Sequence, residues 1–195
     1  MSKRVLILHG LSGSDFPHWQ NHLAQDLIKE NYTVSFPSLP NKNSPDLNEW
    51  KEFIRKEIEY FKPNIVVCHS LANILWFHIC DELDIKLEKL MLVAPVRNEV
   101  LEEAKTFFPY PIAKDLKSIE VIMAASTNDP YMSIEEAINL QSKLNIGMKI
   151  MENAGHINPS AGFGKLDCAF EWIKACNGTG IFSKRVQSTR IPAEK

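Results

Sequence analysis

The sequence predicts an α/β protein, with a six-stranded, mostly parallel sheet and helices on both faces. Three observations lead there. Short continuous apolar runs recur along the chain without the alternation of a half-solvated strand, so they read as strands buried on both faces. Amphipathic helical stretches separate them, which is the connection that parallel strands need. At one junction the run Ile65-Val66-Val67 enters Cys68-His69-Ser70-Leu71-Ala72, a serine between small residues at a strand-to-helix turn.

The elements follow in order. Val5-Leu6-Ile7-Leu8 is the first strand, ended by His9-Gly10. His18 to Asn31 has helical spacing, with Trp19, Leu23, Leu27 and Ile28 on its stripe. Tyr32 to Phe36 is a short strand stopped by Pro37, and Pro45 to Phe61 is a second amphipathic helix. Ile65 to Cys68 is the third strand, and Leu71 to Leu83 is the helix after it. Lys89 to Ala94 and Glu120 to Ala125 are the fourth and fifth strands. Ser133 to Lys143 is a helix with Ser133 as N-cap and Glu136 at capping-box spacing. Met148 to Met151 is the sixth strand, and Gly164 to Ala175 the last helix. The connection from Pro95 to Pro111 carries Phe107, Phe108 and Tyr110 and predicts a short helix over Asn98–Lys105. Two readings stay open for it: a patch packed on the core, or a wall or lid over the serine.

At 195 residues, the chain is long enough for one sizeable core. The reading is one domain over residues 1–176 and a loose basic tail over 177–195, where periodicity ends at Gly178-Thr179-Gly180. A net charge of −2 gives no reason to expect nucleic acid or an anionic membrane as partner, and neither is expected. The apolar run at the N-terminus is too short for a signal peptide or a membrane span. Cys68, Cys80, Cys168 and Cys176 form no CxxC pair and no zinc spacing, so free thiols in a reducing cytoplasm are expected.

A serine nucleophile needs a base to take its proton and a carboxylate to orient that base. On a sheet of this kind the acid and then the histidine follow the serine, each beyond a strand's C-terminal end. Asp129 follows the fifth strand and His156 follows the sixth. Gly155 is expected to let the histidine loop approach the serine closely. Glu152 and Asp167 are rival carboxylates, ranked lower because one sits on the strand end and the other in the last helix. The oxyanion donors expected are the backbone N–H groups of Leu71, at a helix N-terminus, and of Leu11, in the loop after the first strand. A phosphate-binding reading of that loop lacks the lysine, the P-loop spacing and G-x-G-x-x-G. His22 and His78 are read as packing or surface residues and His69 as tuning the elbow. His18, beside Trp19, is a candidate for the far side of the oxyanion loop.

The motifs together resemble a small α/β-hydrolase family of serine hydrolases, the one that includes retinoblastoma-binding protein nine and bacterial YdeN-like proteins. The residues that carry this are His9-Gly10 with the loop into His18-Trp19, His69-Ser70-Leu71, Asn128-Asp129-Pro130, and Gly155-His156-Ile157-Asn158 continuing to Gly162-Phe163-Gly164. Cys68 and Ala72 depart from it, because the group more often has glycine there. The resemblance implies a compact α/β-hydrolase without a large cap domain and with strand order 2-1-3-4-5-6. It also implies esterase- or amidase-like chemistry without metal or organic cofactor. The resulting expectation is a cytoplasmic carboxylesterase that acts on a small-molecule acyl substrate. Ser70, His156 and Asp129 would be its triad. The alternatives are a protein-binding module on the same fold with a silent triad, served by the tail or Phe107–Tyr110, and a nucleotide-binding flavodoxin-like domain.

Overall fold

The computed structural model describes residues 2–99 and 101–175, so the predicted tail and Cys176 lie outside the described residues. Six strands form one sheet: β1 (Arg4–Leu8), β2 (Thr33–Ser35), β3 (Ile65–His69), β4 (Leu87–Val93), β5 (Ser118–Ser126) and β6 (Gly147–Met151). Their order is β2-β1-β3-β4-β5-β6, and every neighbouring pair is parallel. The fold class and the strand order are those expected, and among the described residues no large cap stands over the sheet.

Among the described residues five α-helices cover it: α1 (Trp19–Lys29), α2 (Leu47–Phe61), α3 (Leu71–Ile79), α4 (Ile134–Leu144) and α5 (Asp167–Lys174). Strand residues alternate between two apolar layers, as the two-residue period of a strand requires. Val5, Ile7, Val67, Met91 and Val93 pack with Trp19, Leu27, Trp172 and Ile173, under α1 and α5. Leu6, Leu8, Val66, Leu90 and Leu92 pack with Trp50, Ile54, Leu75 and Trp76, under α2 and α3. The helix α3 is apolar all round and buried on nearly all its length, so its position beside the sheet is tightly set.

Local signals account for most boundaries. Asp46 caps α2 by accepting the N–H groups of Asn48 and Glu49, and Ser133 with Glu136 forms the expected capping box on α4. Besides shifts of one or two residues at several strand and helix ends, four boundaries or faces differ from expectation. Ile28 is 59% exposed and lies outside the buried stripe of α1. The helix after β3 ends at Ile79 and continues as a 3-10 turn, Cys80–Glu82. The last helix begins at Asp167 instead of Gly164, because Gly162 turns left-handed and the Phe163 N–H bonds back to Asn158 O. The helix expected over Asn98–Lys105 is instead a kinked 3-10 segment, Glu102–Phe107. Asn98 is diverted from it: its side chain accepts from Tyr110 N–H at 2.9 Å and donates to Tyr110 O at 3.3 Å. Phe107 is fully buried against Trp50, and Tyr110 packs on Phe77, so the aromatic patch belongs to the core. Among the described residues no helix is long and apolar enough to cross a membrane.

Candidate active site

Ser70 occupies the turn between β3 and α3 with φ 56° and ψ −123°. A non-glycine residue there stores about 1–3 kcal/mol of strain and persists only where its surroundings over-determine it. They do so here. Ser70 N–H donates to Val93 O at 3.0 Å, and Asn73 N–H donates to Ser70 O at 3.0 Å. The Asn73 side-chain amide donates to Ser70 O at 2.8 Å and to Val93 O at 2.9 Å. Cys68 and Ala72, where related elbows more often carry glycine, are both fully buried in this turn.

The three residues predicted from chain order come together. Ser70 Oγ lies 2.8 Å from His156 Nε2. His156 Nδ1 lies 2.9 Å from one carboxylate oxygen of Asp129 and 3.0 Å from the other. An ionised carboxylate only accepts, so this network assigns the imidazole proton to Nδ1 and leaves Nε2 to accept from the serine hydroxyl. All three side chains are nearly inaccessible: Ser70 and His156 are 9% and 8% exposed, and the Asp129 side chain 3%. Tyr131 packs edge-on against His156 and donates its N–H to Asp129 Oδ1 at 2.9 Å. The rival carboxylates stand apart. Glu152 is exposed beyond β6, and Asp167 is the first residue of α5.

The acid and histidine loops are bound to each other by polar groups that the sequence reading passed over. Ser126 Oγ accepts Ala154 N–H at 2.9 Å and donates to Asn128 Oδ1 at 2.9 Å. Asn128 Oδ1 also accepts Gly155 N–H at 2.7 Å, and Thr127 Oγ1 accepts Asn153 N–H at 2.9 Å. Trp19 Nε1 donates to Ile157 O at 2.8 Å and ties the far side of the loop to α1. The signal for these was available: Ser126-Thr127-Asn128 is a run of short polar side chains at a strand end, where such groups bond local backbone.

The close approach expected at Gly155 is found at a different glycine. A Cβ at Gly155 would lie 2.6 Å from Ala161 Cβ, so Gly155 makes room for the following 3-10 turn and not for the serine. Gly10 is the residue whose missing side chain leaves room for Ser70, since a Cβ there would lie 2.6 Å from Ser70 Cβ.

Three other histidines surround this centre. His9 accepts Leu39 N–H on Nε2 at 2.8 Å, so Nδ1 carries the proton and donates to Gly10 O at 2.7 Å. His69 Nε2 donates to His156 O at 3.1 Å, and burial, with His156 and His18 nearby, holds its pKa well below the ordinary value. His18 caps α1 through Nδ1, which accepts Gln20 N–H, and its ring meets His69 edge-on. Burial first, then the neighbouring His156 and His9, lower its pKa to about 4. His22 stacks on Phe16, and His78 Nε2 bonds Phe107 O, so both are the packing residues expected.

A cavity of about 630 Å³ opens above Ser70 and His156. Leu11, Leu71, Val96 and Leu101 supply its apolar wall, so the segment after β4 forms part of the wall. Asp15 and Glu103 also line it, and among the described residues no lysine or arginine does. Lys42 is held under the Ser12–Gly13 loop by Asp15 at 2.9 Å, where a Cβ on Gly13 would meet its chain at 2.8 Å.

The model of the serine hydrolase family matches residues 5–175. The chain belongs to the serine hydrolase family. The search of curated proteins finds no match. Among solved structures, this serine hydrolase is similar to the ydeN gene product of Bacillus subtilis, with 18% identity, TM-score 0.76, and 88% of this chain and 97% of that one covered. It is also similar to a YdeN-like hydrolase from Pectobacterium atrosepticum, with 24% identity, TM-score 0.69, and 88% and 89% of the two chains covered. Est1E from Butyrivibrio proteoclasticus matches at 12% identity and TM-score 0.63 over 80% of each chain. At these identities the likeness is one of fold.

Proposed function

We propose that this serine hydrolase is a carboxylesterase for small, uncharged acyl esters, working through Ser70, His156 and Asp129. The observation that carries the reading is the unbroken hydrogen-bonded chain from Ser70 Oγ through His156 to Asp129, with its serine Oγ–Nε2 step of 2.8 Å. Ser70 Oγ attacks the ester carbonyl while its proton passes to His156 Nε2. Asp129 holds the Nδ1 proton and stabilises the imidazolium that forms. The tetrahedral intermediate collapses, the C–O bond to the alcohol breaks, and Nε2–H protonates the departing alkoxide. Water then attacks the acyl-enzyme, gives its proton to the same nitrogen, and releases the acid and free Ser70.

Leu11 and Leu71 N–H groups are the proposed oxyanion donors. Leu71 is the first residue of α3, where an N–H has no acceptor within the helix. Leu11 N–H belongs to the same peptide unit as Gly10 O, which His9 Nδ1 and Gly13 N–H hold at 2.7 Å and 3.2 Å. A trans peptide points its N–H opposite to its carbonyl, so pinning Gly10 O fixes the direction of the Leu11 donor. Lys42 neutralises Asp15, so the carboxylate of Glu103, in a wall without a lysine or arginine side chain among the described residues, is the charge that disfavours anionic esters. The name Est1E and the esterase domain from Rhodothermus marinus among the similar folds agree with ester chemistry. The free thiols of Cys68, Cys80 and Cys168 suit a reducing cytoplasm as the place of action.

The test is intact-mass detection of a fluorophosphonate adduct on wild type and Ser70→Ala, followed by acetyl, butyryl and octanoyl esters. One adduct on wild type, none on the variant, and fastest turnover of the shorter neutral esters are expected. An unlabelled folded wild type, or an adduct retained by Ser70→Ala, overturns the assignment.

A further inference from the structure

We infer that Asn73 is a positioning residue for the nucleophile, holding the Ser70 backbone in the conformation that aims its hydroxyl at His156. The inference rests on the serine hydrolase reading above, because it concerns the reactivity of the same serine.

The argument begins with what a strained turn requires. Ser70 is in a backbone region that side chains rarely adopt, and neither neighbour two residues away is the glycine that would ease the crossing of strand and helix. Both peptide groups of the serine must therefore be held. Asn73 holds both with one side chain. Its Nδ2 donates to Ser70 O, which also receives Asn73 N–H, and to Val93 O, which also receives Ser70 N–H. The result is a closed bracket of four hydrogen bonds joining the N–H of Ser70, its C=O, α3 and the end of β4.

The orientation of the amide is not arbitrary. Two carbonyl oxygens face one end of the side chain, so that end must be the NH₂ group; a flipped amide would set oxygen against both. The other end, Asn73 Oδ1, is buried with no hydrogen-bond partner among the described residues, in a residue with no exposed surface. An unsatisfied buried carbonyl is costly, and a leucine or alanine would fill this apolar helix without it. The asparagine is thus a poor choice for the core and a good one for the turn. Its two donors are what the site uses, and its orphan oxygen is the accompanying cost.

Small displacements of an attacking atom are sufficient to matter. A shift of about 1 Å in a reacting group can lower a rate by about a hundredfold. Asn73 touches no reacting atom, so its loss should appear in the rate of attack and leave the cavity unchanged.

The experiment compares wild type with Asn73→Ala and Asn73→Ser, using a short neutral ester, the fluorophosphonate labelling rate and thermal melting. A serine at this place still donates to the carbonyl three residues back, which is Ser70 O, but is too short to bridge to Val93 O as well. The expected order in kcat and in labelling rate is wild type, then Ser, then Ala, with Ala about 10- to 100-fold down and KM within about twofold. Rates are taken at a temperature where melting shows each variant folded. If Asn73→Ala does not fold at any temperature, the comparison of wild type with Asn73→Ser decides. An Ala variant with wild-type kcat, a Ser variant no better than Ala, or a loss in KM alone overturns the inference. A wild type that never labels instead removes the underlying reading.

Discussion

Ser70 stands between a strand and a helix that are apolar almost throughout, whereas Asp129 and His156 stand on loops joined by short polar side chains. On the serine's side, β3 is buried along its whole length and α3 on nearly every face, and one asparagine supplies the polar bonds of the turn. On the other side, β6 is an edge strand with Gly147 and Ile150 exposed, and Ser126, Thr127 and Asn128 do the holding. The backbone strain at Ser70 needs a rigid core to contain it. His156 and Asp129 need only correct distances, which hydrogen bonds at the sheet edge can set. The two regions should therefore fail in different ways when altered.

The largest effect is expected at Asp129. Asp129→Asn removes the charge that selects the imidazole tautomer, and kcat should fall by about 10⁴ with melting little changed. Glu152→Gln, at an exposed position, should stay within about twofold. Steady-state kinetics on both variants checks this, and the reverse pattern would reassign the carboxylate.

The serine's side is tested by Gly10→Ala. The added methyl has no space beside Ser70 Cβ and His69 O, so the elbow must shift, and kcat should drop by about a hundredfold. Unchanged kcat would show that the elbow is less tightly held than the packing indicates. The loop side should be gentler. Asn128→Ala takes away the acceptor of Gly155 N–H and Ser126 Oγ–H at an exposed position, at a cost of about 0.5–1.5 kcal/mol in stability by urea unfolding. Its kcat should fall about tenfold, since backbone bonds from Ala154 and Asn153 remain. A loss equal to that of Gly10→Ala would erase the distinction between the two regions.

The same contrast explains what the sequence could disclose. Ser70 was legible because the apolar runs on each side of it mark a buried strand and a buried helix. Asp129 and His156 were legible because topology fixes their order and their strand ends. The polar groups that support them were not, since serine, threonine and asparagine at a strand end look alike whether they bond loops together or face water. Gly10 and Gly155 show the limit plainly. Gly155 was recognisable as a position of close approach and Gly10 only as the end of a strand, but which neighbour approaches each of them is a fact of tertiary packing. The segment after β4 failed for a related reason: the tie between Asn98 and Tyr110 spans residues that local periodicity treats separately.

The smallest effect concerns the buried histidines behind the site and is read as stability against pH. His18 binds its proton only near pH 4 in the folded protein but near 6.5 when unfolded, and burial lowers His9 and His69 in the same direction. Between those values the unfolded chain carries more protons, so stability is full above about 6.5 and declines as pH falls. For His18 the decline continues to about 4, at up to about 1.4 kcal/mol per pH unit. His18→Asn keeps an oxygen that can accept Gln20 N–H at the start of α1 and removes the titration. Urea unfolding between pH 6 and 4.5 should then give a shallower acid slope for the variant by about one proton. An unchanged slope would mean that the acid sensitivity arises elsewhere, with His69, His9 and His78 as further groups whose burial points the same way.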